Sequence, residues 1–115
     1  MIKLLIYRML SEKEWNENKN KQIYEPEELV RDGFIHFSFK NQLIDVANAV
    51  YQKYEKLIVL EVNAEKLTHP ESLKIEDLYH YGVDYPHLYS PLNLSAIVAQ
   101  FEMVHLETGF QFNLG

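Results

Sequence analysis

The chain has 115 residues, 47% of them hydrophobic and 24% charged, with no cysteine and a formal net charge of −6. That length and composition fit one domain with its own core and exclude a disordered chain, while the missing thiols exclude a disulfide framework, a thiolate nucleophile and a cysteine zinc site. Seventeen acidic residues against eleven basic ones leave no basic stripe to release phosphate counterions, so a nucleic-acid partner is unsupported.

The opening "MIKLLIYRML" carries an apolar run too short for the core of a secretion signal. Arg8 interrupts it, and no small-residue cleavage site follows. No stretch approaches the roughly 20 apolar residues of a membrane span, so a cytoplasmic protein without a membrane partner is expected. Residues 3 to 10 predict a strand with Leu5, Tyr7 and Met9 on one face and Leu4, Ile6 and Arg8 on the other; two mostly apolar faces predict a central place in its sheet. Ser11 is the expected cap of a short helix, with Glu14 closing a capping box and Trp15 anchoring it to the core. In "IYEPEELVRDG", Pro26 suits a first helical position, and Gly33 stops the one or two turns of "PEELVRD".

"FIHFS" reads as a short strand. From Ser38 to Tyr54, Leu43, Ile44, Val46, Ala47, Val50, Tyr51 and Tyr54 recur at helical spacing, with Ser38 or Asn41 as the cap. "KLIVLEVNA", 56 to 64, is a β-branched strand, and "EKLTHPES" is a turn. "LKIEDL" alternates as a short strand, with Leu73 and Ile75 opposite Lys74 and Glu76. "YHYGVDYPHLYSPLN" reads as a loop rich in tyrosine and punctuated by Gly82, Pro86 and Pro91. "LSAIVAQFEMVHLE" is a closing strand, and "TGFQFNLG" is either a frayed tail or an extra edge strand. The sum is an α+β domain spanning residues 1–115, with five or six strands and two main helices.

His36 and His87 stand out because each lies beside hydroxyl residues, Ser38 for the first and Tyr85 and Tyr89 for the second. An imidazole donates from one nitrogen and accepts at the other, which suits ribose hydroxyls; it equally suits a backbone carbonyl at a strand end. Arg8, on an apolar face, must reach solvent or an anion such as a pyrophosphate. Glu76 and Asp77 precede four tyrosines, Tyr79, Tyr81, Tyr85 and Tyr89, whose rings either line a pocket able to stack on nicotinamide or adenine or pack an ordered loop on the core. His69, His80 and His105 are scattered and no helical H-x-x-x-H occurs, so no metal site is expected. No P-loop, G-x-G-x-x-G or G-x-S-x-G stretch is present, which argues against Rossmann-type cofactor binding and the serine-hydrolase elbow.

"LIYRML", "DGFIHFS", "LIVLEVNAEKL", "LKIED" and "YPHLYSPLNLSAIV", in this order and spacing, resemble the bacterial proteins called domain of unknown function 952, over nearly the whole chain to about residue 104. The resemblance implies a fold similar to the ADP-ribosyltransferases, whose split sheet grips NAD in a cleft. Where such proteins usually read "IYHI" this chain has "IYRM", which puts Arg8 in the place of a histidine. The "FIHCS"-like piece maps onto Phe34 to Ser38, with Phe37 for the cysteine. The family's "W-E" glutamate maps onto Glu76, and "FPHLYGPL" maps onto Tyr85 to Leu92, with Ser90 for the glycine.

The resemblance thus implies an NAD-binding transferase acting at the nicotinamide-ribose bond. His36, His87 and Glu76 are its expected catalytic residues, and Arg8, Ser38, Tyr85 and Tyr89 its expected NAD contacts. Within these roles His36 and Ser38 hold the ribose or amide, Arg8 the pyrophosphate, and Glu76 the acceptor or the cation. A non-catalytic nucleotide- or protein-binding module with the same cleft is the alternative, suggested by Arg8 in the histidine position. An RNA 2′-phosphate-removing enzyme of the same fold needs a basic surface that a −6 chain lacks. Monomer and homodimer are equally open.

Overall fold

The computed structural model describes residues 3–113. Its elements in chain order begin with strand β1 (Leu5–Ser11), helix α1 (Glu12–Asn18), strand β2 (Ile23–Tyr24), helix α2 (Glu27–Asp32) and strand β3 (Ile35–His36). Helix α3 (Leu43–Val50), β4 (Lys56–Asn63), β5 (Leu73–Glu76), β6 (Tyr85–Leu88), β7 (Leu92–Asn93), β8 (Ile97–Leu106) and β9 (Gly109–Asn113) complete the chain. The result is an α+β fold with three antiparallel sheets, ordered β1-β4-β8-β9, β3-β6-β5 and β2-β7.

The four-stranded sheet is covered on both faces because β1 and β4 are apolar at odd and even positions alike. Ile6, Leu10, Ile58, Leu60 and Val62 pack with Tyr24, Ile35, Leu88 and Leu92 on one side. Tyr7, Met9, Leu57, Val59 and Met103 pack with Leu43 and Ala47 of α3 and with Phe110 on the other. At about 1.5–3 kcal/mol for each fully buried aliphatic side chain, these two layers dominate the cohesion of the fold.

Two-sided burial was expected for β1, but its central place was not found: β1 is an edge strand, and β4 sits between β1 and β8. Its outer edge is closed by the segment after β3, where Tyr7 N–H donates to the Ser38 carbonyl at 2.9 Å and Ser38 N–H to the Tyr7 carbonyl at 2.8 Å. This bridge links the four-stranded sheet to the β3-β6-β5 sheet, and it takes Ser38 out of the helix it was expected to cap. Phe37 stays extended too, donating to the Pro86 carbonyl at 3.0 Å. A 3-10 turn at Lys40–Gln42 follows, so the regular helix is Leu43–Val50.

The tyrosine-rich loop is also shorter than expected, since residues 85–88 form the middle strand of the three-stranded sheet. A proline inside a middle strand removes a donor. Pro86 lies opposite Phe37, whose N–H its carbonyl accepts at 3.0 Å, and the β3 ladder ends at this point, where the return donor is missing. Of the "TGFQFNLG" segment, Gly109–Asn113 form the edge strand β9, paired with β8 from Leu106↔Gly109 to Glu102↔Asn113; the last two residues of the segment lie outside the described residues. Ser11 Oγ accepts from Glu14 N–H at 3.1 Å, which is one half of the expected capping box; the Glu14 carboxylate instead accepts from the Tyr24 hydroxyl. Among the described residues no helix is long and apolar enough to cross a membrane.

Candidate functional site: an aromatic cleft backed by a buried ion pair

Alternation along β1 sends Arg8 to the same face as Ile6 and Leu10, and it is only 3% exposed. A guanidinium there requires a buried counter-ion, and Glu28, in the first turn of α2, supplies it. The pair is bidentate, Nη1 to Oε2 at 2.9 Å and Nη2 to Oε1 at 2.7 Å. Nη2 also donates to the Tyr24 hydroxyl at 2.9 Å and Nη1 to the His36 carbonyl at 3.3 Å. Arg8 Nε is buried without an acceptor, a local cost of the arrangement. The expected contact of Arg8 with a pyrophosphate is therefore corrected: its guanidinium is enclosed by Glu28, Tyr24 and the His36 backbone and serves as an internal counter-ion.

Glu28 Oε2 also accepts from the backbone N–H of His36 at 2.8 Å and lies 2.6 Å from His36 Nδ1. Burial alone would raise its carboxyl pKa. The hydrogen bonds from His36 and the charge and hydrogen bonds of Arg8 outweigh burial and lower it to about 2. The His36 side chain is 37% exposed, and among the described residues no partner meets its Nε2.

A second histidine–glutamate pair stands beside the first because β3 and β6 align His36 with His87. His87 is fully buried; its Nδ1 lies 2.9 Å from Glu76 Oε2, which also accepts from the Tyr89 hydroxyl at 2.5 Å. That tyrosine bond, and then His87, hold the Glu76 carboxyl below the usual range, while burial and the Glu76 charge push Tyr89 up to about 12. Phe34 packs among His36, His87 and Tyr89, with ring centroids 4.7, 4.2 and 5.2 Å away. The two imidazoles meet edge-on at 5.9 Å.

Where β1 and the segment after β3 part beyond their bridge, a cleft of about 530 Å³ opens under α3. His36, Phe37 and Ser38 form one wall and Asp45, Val46, Ala49, Val50 and Tyr51 the other; Tyr7 and Met9 lie along β1, and Tyr81 and Tyr85 close the remaining side. Of the seven residues singled out in the sequence, His36, Ser38 and Tyr85 line this cleft. Buried His87 and the partly exposed Glu76 and Tyr89 form an adjoining hydrogen-bonded node, and Arg8 is enclosed. Sequence reasoning missed Glu28, Tyr7, Asp45 and Tyr51. Arg8 on an apolar face signalled that some carboxylate must join it, without saying which of seventeen. Among the described residues no group of three or more histidine, aspartate or glutamate side chains could hold a metal ion.

The family described as protein of unknown function (DUF952) matches residues 9–100. The chain belongs to this family. A crystal structure of protein CC0527 from Caulobacter crescentus is similar at 34% identity, covering 97% of this chain and 96% of that one with a TM-score of 0.80. The solution structure of the same Caulobacter crescentus protein gives 34% identity over 92% and 90% of the two chains, with a TM-score of 0.76. The comparison with curated proteins gives no match.

Proposed function

We propose that this DUF952 protein binds NAD through its nicotinamide-ribose end in the cleft beneath α3, and acts there on the nicotinamide-ribose bond in the manner of an ADP-ribosyltransferase. One observation carries the reading: the lining holds four tyrosines, a histidine and a carboxylate, with neither lysine nor arginine among them. Aromatic faces and a carboxylate attract a cationic ring, and the nicotinamide ring of NAD carries a positive charge. When the C1′–N bond breaks, its electron pair neutralises nicotinamide and positive charge moves to the ribose, where Asp45 and the tyrosine faces would stabilise it. The acceptor then bonds to C1′ and gives up its proton. His36 Nε2 and the Ser38 hydroxyl are the polar groups suited to ribose. The pyrophosphate has no cation inside the cleft, so it would extend toward solvent.

Among the described residues an isolated Tyr7↔Ser38 bridge joins the two larger sheets, and the cleft beside it is the proposed counterpart of the NAD-gripping split of an ADP-ribosyltransferase sheet. The test is incubation with NAD while nicotinamide release is followed, using His36→Ala as control. Release that is lost in the variant supports the transferase reading. Saturable NAD binding with no release favours the alternative, a non-catalytic nucleotide-binding module; the engagement of Glu76 by His87 and Tyr89, away from the cleft, speaks for that alternative.

A further inference from the structure

We propose that Glu28 is a positioning residue that locks the neutral His36 ring with its proton on Nδ1, so that Nε2 faces the cleft as a proton acceptor. The inference deepens the proposed function and relies on it only for the identity of the ligand.

The donors and acceptors around Glu28 Oε2 fix the position of the proton. Glu28 Oε2 lies within 2.9 Å of Arg8 Nη1, His36 N and His36 Nδ1. The first two are obligate donors, and an Arg8 that also holds Oε1 at 2.7 Å leaves the carboxylate ionised. An ionised carboxylate only accepts, so at 2.6 Å the proton between Oε2 and Nδ1 belongs to the imidazole. In the neutral ring the other nitrogen is then a lone pair. The arrangement is rigid because the backbone N–H and the ring of the same residue grip one oxygen, while β3 fixes that backbone against β6. Phe34 at 4.7 Å limits rotation of the ring.

A lone pair at Nε2 takes a hydrogen bond or a proton. The group placed there must be a donor, which a ribose hydroxyl or the attacking group of an acceptor provides. A carbonyl oxygen or a phosphate oxygen would meet lone-pair repulsion unless the ring first took up a second proton.

The tautomer can be read in the free protein from nitrogen-15 shifts and nitrogen–proton couplings of the His36 ring, at a pH where the ring is neutral. The expected result is a protonated Nδ1 and an unprotonated Nε2. Glu28→Leu alone strands the Arg8 charge and can unfold the domain, so the comparison variant is Arg8→Met with Glu28→Leu, which removes both buried charges together. There the ring is expected to move to the Nε2–H form or to exchange between the two. A wild-type ring protonated on Nε2, or a double variant that keeps the Nδ1 proton, overturns the proposal. Absence of NAD binding bears on the proposed function alone and leaves the tautomer measurement intact.

Discussion

Removing Glu28 while keeping Arg8 should be among the most damaging single changes to this fold. The Glu28 carboxylate accepts four bonds, two from the Arg8 guanidinium and two from His36, between 2.6 and 2.9 Å. Arg8 itself is 3% exposed, so Glu28→Leu leaves a desolvated cation. Breaking a buried pair from one side typically costs about 3–5 kcal/mol. The lower end applies here, because Glu14 Oε2 lies 3.7 Å from Arg8 Nη2 and remains as a partial counter-ion. About 3 kcal/mol corresponds to roughly 12 °C in melting temperature for a domain of this size. Urea unfolding of the wild type, Glu28→Leu, Arg8→Met and the double variant gives the cycle. The double variant should recover most of the loss, since replacing both charges by apolar groups is often neutral or stabilising. A Glu28→Leu variant within 1 kcal/mol of wild type, or a double variant less stable than both singles, would refute the claim that the guanidinium is desolvated and held by this carboxylate.

Two further outcomes follow from the same geometry. Glu28 titrates near 2 in the folded protein against 4.5 ordinarily, so its contribution is present above about pH 4.5 and disappears as pH falls toward 2; between pH 6 and pH 3 the wild type should lose more urea stability than the Arg8→Met and Glu28→Leu double variant, in which this carboxyl is gone. Phe34 is 5% exposed and packed among His36, His87 and Tyr89, so Phe34→Ala should cost about 3 kcal/mol in urea unfolding and shift the ring signals of both histidines.

What the sequence revealed depended on how local the deciding contacts are. The apolar runs of β1 and β4 read directly as strands because their burial is written into consecutive residues, and Gly33, at φ 87°, ends α2 where a left-handed residue is needed. The edge position of β1 was hidden, since burial on both faces looks the same whether the cover is another strand or packed layers. The capping of the α3 segment was misread because Ser38 has a stronger use of its backbone, in the bridge to Tyr7, than its hydroxyl has at a helix start. Pro86 suggested a loop, but its carbonyl still accepts from Phe37 N–H and its strand still pairs with β5, so the strand loses one ladder bond and no more. In the site, β3 and β6 set His36 beside His87, but only His36 lines the cleft, while His87 is buried against Glu76. The role of Arg8 could not be read correctly, because its partner Glu28 lies twenty residues away in a segment whose four acidic residues, Glu25, Glu27, Glu28 and Asp32, look alike in sequence.

The most direct test of the account is a titration with NAD followed through the methyl signals of Val46, Ala49 and Val50 in the α3 wall and the ring signals of His36. Saturable shifts at these four residues, weakened by Asp45→Asn, are the predicted result. Saturable shifts confined to other surfaces, or no change at millimolar NAD, would contradict a nicotinamide-ribose site beneath α3.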